Sequence, residues 1–179
     1  QRYGIDAAQA ARVEATALML FDRVAGDWKL DADMRRMLAW AARLHELGLA
    51  IAHSQYQLHG AYVLQNSDIA GFSQQEQQVL AALVRSHRRK VPGKAFDAIP
   101  DRLLADTKRT AALLRLAVLL HRSHEAAQLP ELRAGAKRDQ LSIALPARWL
   151  DQRPLLRADL DGEPADMAGL GIQLAIQAD

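Results

Sequence analysis

Six histidines and not one cysteine define the chemistry open to this 179-residue chain. Without thiols there is no disulfide scaffold, no thiolate zinc site and no cysteine nucleophile, so a metal ion would have to be held by His, Asp and Glu. Four of the histidines, His45, His59, His87 and His121, fall at helical positions from which they can converge, and Glu46 follows His45 directly. Imidazoles beside a carboxylate are a donor set for a divalent cation. On apolar helix faces the same residues also serve as hydrogen-bonded core histidines, the commoner use of a buried imidazole. Gly169 and Gly171 make only a G-x-G ahead of a strand pattern, so the chain carries no glycine-rich phosphate cradle. No serine stands in a G-x-S-x-G elbow.

The second chemical feature is a concentration of cations. Net charge is +2 overall, yet residues 1–84 hold 7 basic and 9 acidic side chains, residues 85–138 hold 13 and 5, and residues 139–179 hold 3 and 7. Within the basic block Arg85, His87, Arg88, Arg89 and Lys90 run almost consecutively, with Lys94 close behind and Arg115 and Arg122 further on. A concentrated positive field favours phosphate-rich partners, with Arg forking two donors onto a phosphate and Lys offering a point charge. The alternative is a solvated cationic helix end that merely complements the helix dipole.

Helices must position these residues. Asp6 with Gln9 forms a box-like start, and Val13, Ala17, Leu20, Phe21 and Val24 recur at helical spacing as far as Gly26. A second helix is expected over 31–47 with His45 on its apolar stripe and Gly48 as its stop, and a third over 54–65 capped by Ser54 and Gln57. Ser73 with Glu76 caps a fourth whose stripe ends at His87. After Pro92, Gly93 and Pro100 a long helix is expected to run to Gln128. Beyond Pro130 the pattern changes to strands over 131–137 and 140–145, short helices over 147–150 and 154–160, and a last strand over 170–176. The expected fold is mainly α: a helical bundle over 1–129, then a small α+β subdomain over 130–179. Half the residues are apolar and a quarter charged, a globular profile, and no apolar run approaches the roughly 18 residues of a membrane span. The first residues lack a signal-peptide pattern and open into helix without a methionine, so the chain reads as a piece of a longer, cytoplasmic protein.

The order of His45-Glu46, His59 and His87 resembles an HD-type helical domain, in which a His-Asp pair, an earlier histidine and a distant aspartate hold the cation. Laying that pattern on this chain puts the earlier ligand at Gln9 and the late one at Val118, neither of which binds a metal as those ligands do. The resemblance implies a degenerate HD centre, with no metal expected.

A longer resemblance covers nearly the whole chain. The stretches RVEATALMLFDRV, LHELGLAIAHSQYQLHGAYVLQNSDIAGFSQQEQQVLAALVRSHRRK, AALLRLAVLLHRS and LSIALPARWLDQRPLLRADL look like the C-terminal half of the exopolyphosphatase/guanosine pentaphosphate phosphohydrolase family. That resemblance implies an HD-domain-like bundle whose catalytic acid and phosphate loops lie in a separate N-terminal actin-like half. It further implies inorganic polyphosphate or guanosine pentaphosphate as the ligand, magnesium for the full-length enzyme, no cofactor in this stretch, and a homodimer, with neither membrane nor nucleic acid as partner. The track expected to hold the anion is Arg85, His87, Arg88, Arg89, Lys90 and Lys94. A self-sufficient HD metal phosphohydrolase and a purely structural helical domain are the competing readings.

Overall fold

The computed structural model describes residues 6–125 and 128–179. Helix α1 spans Ala7–Trp28, with the Asp6 side chain accepting from the amides of Ala8 and Gln9. Only half of the expected box forms, because the Gln9 amide turns inward instead of back to the cap. The helix outruns Gly26 by two residues and stops at Lys29, which closes it in the left-handed region (φ 55°). Helix α2 (Ala32–Leu44), capped by Asp31, ends earlier than expected: His45 is its C-cap, and Leu47–Ala50 forms a 3-10 turn.

Helix α3 spans Tyr56–Asn66, one residue later than the Ser54 cap would start it. Its first turn follows Gln55 in the left-handed region (φ 53°), with no side-chain cap. Helix α4 (Gln74–Ser86) has the full reciprocal box between Ser73 and Glu76. Helix α5 (Asp101–Leu120) stops eight residues short of Gln128, and residues 126–127 of that expectation lie outside the described residues.

The C-terminal portion contains β1 (Arg133–Lys137), β2 (Gln140–Leu145), α6 (Ala147–Asp151), α7 (Pro154–Ala168) and β3 (Gln173–Ala178). Helix α7 runs well past Leu160, carrying Pro164 inside it. Strand β2 is central, antiparallel to β1 and parallel to β3, with Leu141 opposite Leu174 and Ile143 opposite Ile176. Parallel pairing needs a crossover, which α6 and α7 supply. Leu141, Ile143 and Leu145 point into the core at the period of two that a strand imposes.

One apolar core runs from Val13 on α1 through Leu38, Leu80 and Leu113 to Leu160 and Leu174. The hairpin joins α1 through the Trp28 indole, which donates to the Arg138 carbonyl at 2.8 Å. The result is a mainly α domain with a small α+β tail. Among the described residues no helix is long and apolar enough to cross a membrane.

Candidate functional site

The ends of α2, α4 and α5 bring three of the four histidines inside. His45 and His87 are each 1% exposed, at the C-caps of α2 and α4, and their rings meet edge to face with centroids 5.3 Å apart. His45 Nδ1 lies 2.7 Å from the Ala42 carbonyl and His87 Nδ1 lies 2.5 Å from the Val84 carbonyl. A carbonyl only accepts, so Nδ1 carries the proton in both rings and Nε2 is left as a lone pair. His87 Nε2 is buried without a hydrogen-bond partner among the described residues. Burial pushes His45 down to about 4 and His87 well below its ordinary range. Both are neutral at pH 7.

Glu46, also buried, has His124 Nε2 at 3.2 Å and His45 Nε2 at 3.9 Å. Desolvation raises its pKa, with His124 opposing and Asp6 assisting. His121 is buried at the end of α5, where Thr16 Oγ1 stands 2.7 Å from its Nε2. Gln9, at the expected position of the earlier metal ligand, donates from Nε2 to the His121 carbonyl at 2.7 Å. An amide there ties α1 to α5. Val118 is half-buried and has no donor atom to offer, and His59, half-buried on α3, makes no hydrogen bond to the other histidines. Among the described residues no three His, Asp or Glu side chains are placed to hold a metal ion. The magnesium expected for a full-length enzyme has no ligand set among the described residues.

The cations lie on the turn that leaves α4. Arg89, Lys90 and Lys94 are exposed, with Arg89 in the left-handed region (φ 58°). Arg88 is half-buried and lies over the Tyr56 ring at 4.5 Å, an arrangement that fixes the guanidinium through the ring's negative face. Burial chiefly lowers its pKa, Tyr56 opposes, and Arg89 and Arg122 add repulsion. Arg85 is half-buried with Nε enclosed and unpartnered.

One expected member of the track, His87, and two further cations of the basic block, Arg115 and Arg122, are placed otherwise. His87 is withdrawn into the core as a neutral imidazole, because its position closes the apolar stripe of α4. Arg115 is 2% exposed and bound to Glu163, since α5 is covered by α7 along that face. Arg122 is exposed but paired with Asp159 at 2.7 Å. Beside it a cleft of about 710 Å³ opens between the end of α5 and the α6–α7 pair, with Leu119, Trp149 and Leu155 in its wall. Its rim sets Arg122 and Arg153 against Glu125 and Asp159, so the formal charges balance and the cationic surface does not continue into it.

Glu163, Asp166, Tyr56 and His124 were not singled out from sequence. For the first two a signal existed: Arg115 interrupts the apolar run LLRLAVLL, and a charge inside a buried stripe requires a counter-charge. Nothing in the sequence specified which carboxylate.

Residues 1–164 match the family model described as Ppx/GppA phosphatase, domain III. A relative from Pseudoalteromonas translucida (strain TAC 125), named guanosine-5'-triphosphate,3'-diphosphate pyrophosphatase, is 34% identical over 177 residues. That alignment covers 98% of this chain and 35% of the relative, so the chain spans about a third of its length. With a family model matched over most of its residues and an alignment running almost end to end, the chain belongs to the Ppx/GppA phosphatase family as its domain III.

Proposed function

We propose that this chain is the substrate-holding part of a hydrolase acting on inorganic polyphosphate or guanosine pentaphosphate. In this reading the catalytic chemistry belongs to an N-terminal actin-like half, magnesium serves that half, and the whole enzyme works as a homodimer in the cytoplasm. The observation that carries it is the state of the cations in the last turn of α4 and on the turn that follows. Arg85, Arg88, Arg89, Lys90 and Lys94 make no ion pair among the described residues, whereas Arg35, Arg36, Arg43, Arg115 and Arg122 each have a carboxylate; other cations such as Arg23, Lys108 and Arg148 are unpaired as well, but they are scattered, while these five fall between residues 85 and 94. Cations left without counter-charges on one turn suit a chain of phosphates, which binds through many weak contacts that salt screens.

The relative's name points to the same ligand class, a nucleotide carrying several phosphates. The chain alone is expected to release no phosphate from polyphosphate or guanosine pentaphosphate with magnesium or manganese, because its sequence holds no phosphate loop; turnover by the purified chain would revive the self-sufficient metal phosphohydrolase.

The direct test compares long-polyphosphate binding by the wild type and by Arg88→Glu/Arg89→Glu/Lys90→Glu. If four phosphate contacts form, a fourfold rise in salt weakens the wild type about fifty-fold, and the triple variant shows a shallower dependence and lower affinity. Equal affinity in both proteins overturns the holding role and leaves dimerisation.

A further inference from the structure

The turn that carries the cations is anchored at both ends, at its start by Arg115 of α5, which α7 holds in turn, and at its far end by the C-cap of α7. At its start, Arg115 Nη1 donates to the Ser86 carbonyl at 2.6 Å, the last carbonyl of α4. The same guanidinium donates from Nε to Glu163 Oε1 at 2.5 Å and from Nη2 to Glu163 Oε2 at 3.2 Å and Asp166 Oδ2 at 3.3 Å. At the far end, buried Val91 lies against the C-cap of α7: a Cβ added at Gly169 would stand 3.2 Å from Val91 Cβ and 3.1 Å from the Asp166 carbonyl. Arg88, Arg89 and Lys90 occupy the chain between these two anchors.

We propose that Arg115, oriented by Glu163, is a positioning residue for anion binding: through α7 it fixes the path on which Arg88, Arg89 and Lys90 are presented. This rests on the holding role proposed above. Two helices can be joined by apolar contact alone, and a buried ion pair often contributes no more stability than hydrophobic residues of the same size. Apolar residues cannot, however, satisfy the carbonyl at the end of α4, one of the groups a helix terminus leaves without an internal partner. A planar fork with five donors can hold that carbonyl and a carboxylate together, which an ammonium cannot do in the same geometry. A turn held in its bound path loses less freedom when the anion arrives, so its cations bind more tightly for the same charge.

The double variant Arg115→Met/Glu163→Leu separates positioning from structure, because it removes both buried charges and leaves only Asp166, whose side chain is 35% exposed and can be solvated. The expected result is a thermal midpoint lowered by only the few degrees that one unpaired carbonyl costs, amide exchange at least about tenfold faster over 87–91 with α1 and α2 unchanged, and polyphosphate affinity about tenfold lower with every surface cation retained. Should that variant fail to fold, Gly169→Val displaces Val91 without touching the buried charges and is expected to give the same local exchange and the same loss of affinity. Unchanged exchange over 87–91 in the folded variant overturns the inference. So does unchanged affinity there while the triple charge reversal loses binding. If the triple reversal itself leaves binding intact, the holding role fails, and the exchange measurement still decides whether α7 positions the turn.

Discussion

His45 and His87 show how a backbone carbonyl determines what a side chain can do. Each carbonyl accepts a hydrogen bond from Nδ1–H, and burial keeps the ring neutral, so neither imidazole supplies a positive charge near pH 7. This predicts an acid-sensitive stability. Above the unfolded-state value of 6.5 both states hold a neutral His45. As pH falls from there to about 4 the unfolded chain takes up a proton that the folded chain refuses, so stability declines through that window and levels off below it. For His45 alone the loss is about 3 kcal/mol. His87 acts in the same direction. Glu46 and Glu163, whose pKa values are raised, act in the opposite one and offset part of the loss. Urea unfolding across this range should show the decline, and His45→Leu/His87→Leu should flatten it; an equally steep decline in the variant would place the titration elsewhere. Elemental analysis is expected to find no stoichiometric transition metal on the chain, since Gln9 and Val118 stand where two ligands would be needed. One ion per chain would show that the histidines have recruited other donors.

Elements are held by devices of unequal weight. The reciprocal bonds between Ser73 and Glu76 satisfy two free donors at the start of α4, and Ser73→Ala is expected to lower stability by about 1 kcal/mol. Gly48 matters more. The 3-10 turn crosses α3 so closely that a Cβ at Gly48 would stand 1.9 Å from the Tyr56 carbonyl oxygen and 2.6 Å from the Gly60 nitrogen, both backbone atoms. Gly48→Ala is therefore expected to cost more than about 4 kcal/mol or to prevent folding, because neither neighbour is a side chain that can turn aside. A denaturation midpoint within error of wild type would mean that the turn and α3 can part without loss.

At the scale of the molecule, one core and one buried charge cluster join the helical bundle to the α+β tail. Cutting the chain after residue 129 would strip Arg115 of Glu163 and Asp166 and remove the cover of α7 from α5. Removing that cover returns to water the apolar surface that α5 and the tail bury against each other, at about 25 cal/mol per Å², which is set against a total stability of only about 5–15 kcal/mol. Residues 1–129 alone are thus expected to unfold at much lower denaturant than the whole chain, which itself should unfold in one transition. Two transitions in the intact chain, the first confined to the tail, would show instead two independent units.

Local patterns in the sequence were enough for the helical class, the stripe that buries His45 and His87, the Ser73 cap and the alternation of Leu141, Ile143 and Leu145. Each depends only on residues within a turn or a strand of one another. Boundaries were less legible where a neighbour overrides propensity: α7 continues through Gly162 and Pro164 because it is packed across α5, with Glu163 on Arg115. The cationic block was visible as composition, but which cations remain free was not. Local sequence placed Arg115, Arg122 and His87 with Arg88 to Lys90, and the tertiary fold sorted them, burying two and pairing Arg122 with Asp159. Ion pairing between residues tens of positions apart depends on how helices cross, and charge order along the chain holds no record of that.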